Sequence, residues 1–319
     1  MGTVIAVVAA LGAACCFALA AVVQHSAAQG TSEKMLSPRL LLTLARNPRW
    51  LAGVTLGGLS FAIQGLALAF GPLALVQPLA ATDVLFALPM IAIRHRYRLT
   101  RGDWLGAGMV AGGIALFLGV SPPTGGVRAP GPTAWAPVIL AAGTFAAVAA
   151  LAAVRARGPA QVIWLAAGAG ITYGVLDALT KSTVDLLADR GAMTLLRWEP
   201  YALLAAGIVG TFLSQSAFRA GALSVSLPVI DTLEPVSAVV IAAWVFGERL
   251  AASPGQLAVQ LAGGAAAAAG IAALSRSSVA AMETAPGDPA SRNTGRALRN
   301  ARRPSDTESG GPAPTWPGR

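Results

Sequence analysis

Charge is scarce in this chain. Of its 319 residues only 12% are Asp, Glu, Lys or Arg, against roughly 25% in ordinary soluble domains, which argues against a water-soluble globule of this length. Cysteine is nearly absent too. Cys15 and Cys16 are adjacent inside an apolar run, and the histidines are His25 and His95. Adjacent helical positions face different ways, so the pair reads as two small apolar residues, and neither a disulfide framework nor a zinc cluster is available. No Ser/His/Asp set, zinc-protease helix or phosphate-binding glycine loop is recognisable, so no enzyme is expected and no cofactor.

What is plentiful is apolar and small. Residues of the hydrophobic set make up 55%, with 36 Gly and 21 Pro, the profile of a polytopic helical membrane protein. A bilayer core about 30 Å thick needs about 20 helical residues, because hydrocarbon leaves backbone amides no partner outside the helix. Nine runs of that kind occur, at 3–24, 50–70, 73–93, 104–120, 134–154, 160–179, 201–220, 224–246 and 255–274. The expected fold is therefore an all-α bundle of about nine transmembrane helices, ten at the upper limit. The first run contains Ala18-Leu19-Ala20, similar to a signal-cleavage site, but Met1-Gly2-Thr3 carries no positive charge and further spans follow, so it reads as a retained helix. From about Ser275 onward Ser, Arg, Pro, Gly and Glu dominate, and 276–319 is expected to be a disordered tail.

Nine spans place the termini on opposite sides. Outside the tail, Lys34, Arg39, Arg46, Arg49, Arg94, Arg96, Arg98, Arg101, Arg155, Arg157 and Arg219 fall on one side, against Arg128, Arg190, Arg197 and Arg249 on the other. Eleven to four predicts a plasma-membrane protein with its N-terminus outside and its C-terminus cytoplasmic. The stretch Arg94-His95-Arg96-Tyr97-Arg98 reads as a topology determinant touching lipid headgroups; no nucleic acid is expected.

The two halves resemble each other. Val110-Ala111-Gly112-Gly113 and Gly119 are matched 151 residues later by Leu261-Ala262-Gly263-Gly264 and Gly270, as Arg98-Leu99 is by Arg249-Leu250. Gly71, Leu73, Pro78 and Thr82 recur 150 residues on as Gly221, Leu223, Pro228 and Thr232, and Phe17 precedes Tyr173 by 156. Equivalent helices lie five spans apart, an odd number, so the repeat is inverted. This divides the chain into a first repeat, 1–133, a linking helix and loop, 134–159, a second repeat, 160–275, and the tail. Inverted repeats with a site at their interface belong to many secondary transporters, because two such halves exchange outward-open and inward-open forms by rocking.

Proline sharpens the location. Pro78, Pro228 and Pro235 lie inside spans, where each lacks an amide hydrogen and crowds the carbonyl four residues earlier, predicting helix breaks that free carbonyls toward a cavity. Ionisable residues at membrane depth are costly and call for a reason. Asp83, Asp177, Lys181, Arg219, Asp231 and Glu234 are the candidates. Asp231 and Glu234 are three residues apart, on one helix face between two prolines. Such a carboxylate pair suits Mg²⁺ as a metal substrate, suits a coupling proton equally, or pairs structurally with Arg219 or Lys181; Asp177 and Lys181, four apart, can neutralise each other. Gln64, Ser214, Gln215, Gln24 and His25 are candidate cavity-lining residues, and Tyr173 with Phe17 a candidate aromatic wall. The spacings Gly53 to Gly57 and Gly108 to Gly112 predict close helix packing.

The stretch Leu68-Ala69-Phe70-Gly71-Pro72-Leu73-Ala74-Leu75-Val76-Gln77-Pro78-Leu79 resembles the signature of the NIPA-type magnesium transporters, a branch of the drug/metabolite transporter superfamily; Gly71 stands for that branch's Ala and Gln77 for its Thr. Glu234-Pro235 followed by Gly247-Glu248-Arg249-Leu250 is similar to the EamA-type domain of the same superfamily. The resemblance covers about 3–275 and implies a duplicated helical bundle that moves small solutes by alternating access. It implies as substrate an organic solute or Mg²⁺, the bilayer as surroundings, and allows a homodimer; a non-transporting scaffold is the rival outside transport.

Overall fold

The computed structural model describes residues 2–70, 79, 82–119, 130–247 and 253–284. Every element in it is helical: α1 Gly2–Gln29, α2 Leu40–Ala45, α3 Pro48–Phe70, α4 Asp83–His95, α5 Arg101–Gly119, α6 Pro132–Arg155, α7 Pro159–Arg190, a 3-10 turn Gly191–Leu196, α8 Glu199–Ala220, α9 Leu223–Val245, α10 Pro254–Ser275 and α11 Ser278–Thr284. Among the described residues eight helices are long and apolar enough to cross a membrane, namely α1, α3 and α5 to α10. Their outward faces carry Val4, Val8, Leu140 and Trp244, each more than three-fifths exposed, a surface suited to hydrocarbon and not to water. The protein is a multi-pass helical membrane protein.

Lipid tails are as apolar as leucine, so helix association here rests on close contact between small residues. The contacts also fix direction. Gly53 of α3 packs on Ala20 and Gln24 of α1, and Ser60 donates to the Ala13 carbonyl at 2.9 Å, so α1 and α3 are antiparallel. Gly168, Gly207 and Gly210 approach Leu213, Leu176 and Tyr173 across an antiparallel α7/α8 pair. Gly170 meets Ile230 and Gly174 meets Glu234 and Ala238, so α7 and α9 run parallel. Gln24 and Gln29 of α1 bond Gln215 and Phe218 of α8, which makes α1 parallel to α8. It follows that α1 and α7 run in opposite directions. α7 is central, with 67% of its apolar window buried, whereas α6 is peripheral at 17%.

The tightest crossing is α5 against α10, through Gly106 with Gly270 and Gly113 with Gly263. A methyl group on Gly113 would sit 2.5 Å from the Gly263 carbonyl oxygen. The expected row of Gly108 and Gly112 is corrected: both have open space around them, as does Gly57. Positions seven apart share a face and 108 lies about 200° round from 106, so the helix turns a different glycine row to its neighbour.

Three further boundaries differ from expectation. α7 continues eleven residues beyond Leu179, because Asp177, Lys181, Asp185 and Asp189 fall four apart and form one polar stripe instead of a terminus. α9 runs unbroken through Pro228 and Pro235; each proline removes one backbone bond, and hydroxyls of Thr232 and Ser237 donate to the Pro228 and Leu233 carbonyls at 2.7 and 2.6 Å. The tail is not uniformly disordered, since Ser278–Thr284 forms α11. Pro78, Gly71, Leu73, the 120–129 connection, Glu248 to Leu250 and the tail from 285 lie outside the described residues.

Candidate functional site

Asp83 is the first residue of α4, where unpaired amides and the helix dipole favour a carboxylate. It is 4% exposed and accepts a hydrogen bond from the Val84 amide at 2.7 Å. Its carboxyl lies within short electrostatic reach of the carboxyl of Asp231, on α9. One turn along α9 lies Glu234, within electrostatic reach of Asp83 and Asp231 on one side and of Asp177, on α7, on the other. Four acids that the sequence distributes over three helices therefore form one chain, Asp83, Asp231, Glu234, Asp177. Its ends differ: Asp83 is buried and Asp177 exposed. Among the described residues one oxygen of Asp231, Oδ2, is buried without a hydrogen-bond partner, an unused acceptor at the middle of the chain.

A carboxyl that gains a proton becomes a donor as well as an acceptor, and one that loses it keeps acceptors alone. The chain is thus suited to carrying protons or small cations. Among the described residues no three His, Cys, Asp or Glu side chains converge closely enough to hold a metal ion, so Asp231 and Glu234 stand as a two-carboxylate candidate for a substrate cation that keeps its water.

Tyr173 sits one turn before Asp177 on α7, its ring in the hollow left by Gly210. The Ser214 hydroxyl donates to the Thr211 carbonyl at 3.0 Å, so the Tyr173 hydroxyl donates to Ser214, also at 3.0 Å. Glu234 lies within electrostatic range of Tyr173, which places the phenol beside the acid chain. Gln215 is 1% exposed; its amide nitrogen donates to Gln24 Oε1 at 2.8 Å, and among the described residues its own Oε1 has no partner. Gln64 is half-buried on α3 and takes part in none of these bonds. Phe17 packs edge-on against Phe61, centroids 6.5 Å apart, and forms its aromatic contact there instead of with Tyr173. Pro235 borders an apolar cleft between α5, α9 and α10, lined also by Ile114, Phe117 and Ala267.

Arg219 does not serve the acids in the way the pairing alternative expects: its Nε donates to the Glu33 carbonyl at 2.9 Å, beyond the end of α1. His25 likewise has a structural bond, Nε2 to the Gly221 carbonyl at 2.8 Å, with its ring edge-on to Phe218. Lys181 holds its ammonium 4.7 Å above the Phe246 ring.

Two features escape the sequence reading. Glu283, assigned to the tail, bonds the first turn of α9; the signal was one acid after the apolar run Val279-Ala280-Ala281-Met282. Glu199, 1% exposed, pairs with Arg197 at 3.0 Å beside the Trp135 and Trp198 rings, whose centroids are 6.0 Å apart; adjacent opposite charges flanking a tryptophan were its mark.

Compared with known proteins, the chain is 32% identical over 249 residues to an uncharacterised protein of Corynebacterium glutamicum, a match covering 77% of this chain and 86% of that one. No family profile matches the chain, and no solved structure matches it.

Proposed function

We propose, from the premise that this chain belongs to the family of the uncharacterised Corynebacterium glutamicum protein, that it is a proton-coupled transporter of small solutes working by alternating access. The observation that carries the reading is the acid chain from Asp83 through Asp231 and Glu234 to Asp177. Buried acids cost too much at membrane depth to serve as filler, and in membrane proteins they mark ion and proton paths. The chain joins α4, from the first half, to α9 and α7, from the second, where a carrier built of two halves places its site.

In this reading the fold is an inverted repeat of nine spans, α4 being part of the ninth, and the protein is a relative of the drug/metabolite transporter superfamily. The opposite directions of α1 and α7 support the inversion, as does the correspondence between the antiparallel pairs α1/α3 and α7/α8. The arginine asymmetry supports a cytoplasmic-membrane protein with the C-terminus inside. A coupling proton is favoured over Mg²⁺ as in the NIPA-type branch, because among the described residues no three His, Cys, Asp or Glu side chains converge to hold a metal ion.

Purified protein in liposomes loaded with a pH-sensitive and a Mg²⁺-sensitive dye tests this. Proton movement upon adding amino acids or lipophilic cations, absent in Asp231→Asn, is the expected result. Saturable Mg²⁺ entry instead would make the cation the substrate, and silence in both dyes across a broad solute panel would favour a scaffold. Cysteines placed singly in the connections and labelled from either side of whole cells test the orientation.

A further inference from the structure

The start of α9 is held from two directions. From one side α1 reaches across: His25 and Gln29 bond the Gly221 carbonyl at 2.8 and 3.1 Å, Gln29 bonds the Phe218 carbonyl at 2.7 Å, and Arg219 reaches back to Glu33. From the other side comes α11. The first amides of any helix have no partner within it, and at α9 those of Leu223 and Ser224 donate to the two carboxyl oxygens of Glu283 at 3.0 and 3.1 Å, while the Ser224 hydroxyl bonds the second oxygen. Ala280 of α11 packs with Ala222 and Val225 at the start of α9 and with Val162 near the start of α7. Seven residues long and joined to α10 by Arg276 and Ser277 alone, α11 clasps the beginnings of α9 and α7, two of the three helices that carry acids of the chain.

We propose that α11 is a strap: docked, it keeps this end of the bundle shut by capping α9 and tying it to α7, and the end opens when Glu283 lets go. The proposal rests on the transporter reading only for its purpose. The α1 contacts belong to a helix of 28 residues packed along its length, whereas α11 is a short segment anchored by one carboxyl and a few small side chains, so α11 is the removable half of the clasp.

The carboxyl has a titration suited to this. Burial pushes Glu283 up from 4.5 to about 7, against the opposing pull of the hydrogen bonds from Ser224 and Leu223 and the charge of Arg94. A group whose value is raised on docking favours docking in its protonated form. The strap is therefore tightest in acid and weakens as pH rises from the free value to the docked one, by up to roughly 300-fold in its docking equilibrium. Elements packed on α11 bring Arg94 and His95 at the end of α4 and Arg276 after α10, while the first two turns of α9 carry no charged residue. Glu283 variants assign the effect to this carboxyl.

Hydrogen exchange on the full chain in lipid nanodiscs, at about pH 5.5 and about pH 8.5 and corrected for intrinsic rates, reads the strap directly. The protein is expected to protect α11 and the Leu223 and Ser224 amides about tenfold or more better in acid. Glu283→Gln, uncharged at both pH values, makes the protection independent of pH, at a level below the parent's in acid because its amide nitrogen cannot accept one of the two backbone bonds; Glu283→Ala loses it at both. Protection that ignores pH, or a Glu283→Gln chain that follows pH as the parent does, overturns the switch. The opening is read by alkylation of Ser226→Cys, fully buried one turn into α9, in a chain with Cys15 and Cys16 replaced by Ala. Glu283→Ala should speed that labelling several-fold, and equal labelling overturns the gate. Neither readout needs a substrate, so their failure leaves the acid chain standing, and a transport failure leaves the strap standing.

Discussion

Asp83 and Asp231 come from opposite halves of the chain, and their carboxyls lie within short electrostatic reach of each other across α4 and α9. Movement of α4 against α9 separates the two carboxyls, and a change in the pair's proton count changes how strongly they repel. In the transporter reading, proton occupancy and helix position act on the same contact, as coupling requires: the bound species must interact differently with the two arrangements.

Asp231→Asn and Asp83→Asn each retain a hydrogen-bonding side chain of the same shape and remove the exchangeable proton. Each should elute as a single folded species and lower solute-driven proton flux in proteoliposomes by about tenfold or more. Flux at the parent rate in both variants would remove the pair from the transport path.

The α5/α10 crossing separates two neighbouring glycines. Gly113 has the Gly263 carbonyl oxygen 2.5 Å from where a Cβ would lie, and Gly112 has nothing within 4 Å. Gly113→Ala should cost about 1–3 kcal/mol of stability through forced separation of the helices, while Gly112→Ala should be neutral or slightly stabilising. Thermal unfolding of the two variants in the same detergent is the comparison, and equal behaviour would mean the crossing is looser than described.

Gln24 and Gln215 join α1 to α8 at 2.8 Å. Gln24→Leu leaves the buried Gln215 nitrogen without its acceptor and should cost about 1–3 kcal/mol. Adding Gln215→Leu removes the orphan, so the double variant should be more stable than the sum of the singles predicts, by about 0.5 kcal/mol or more. A strictly additive cycle, measured by the same unfolding assay, would show that the bond contributes nothing.

How far these features were legible follows from their physics. Span positions depend on hydropathy and length, which are local, and eight of the nine expected runs coincide with the long helices apart from their ends, while 73–93 falls partly on α4 and partly outside the described residues. The four acids stand out because charge at membrane depth is rare. Contacts decided by a competing partner were not legible: Arg219 has acids within its half of the chain, yet backbone geometry delivers it to the Glu33 carbonyl. The glycine rows of α5 were ambiguous because spacing gives a face but not which neighbour meets it. Composition hid Glu283, since a polar tail and a seven-residue strap differ only in whether something waits to be capped.

Asp177 tests where the acid chain ends. It is exposed, yet lies within an apolar span, and a carboxylate facing lipid there would cost about 2.5–3.5 kcal/mol. In the transporter reading its exposed side faces water, which makes it the mouth of the path, with Glu234 next inside and Asp83 at the closed end. In a chain lacking Cys15 and Cys16, Asp177→Cys should react with a charged, membrane-impermeant thiol reagent about tenfold or more faster than Asp83→Cys, whose position is 4% exposed. Asp177→Asn should raise KM with little change in maximal rate, because it attracts the cation or proton without holding it through the transition. If Asp177→Cys reacts only with a lipid-soluble maleimide, that face looks into the bilayer, and the path must leave Glu234 by another side of α7.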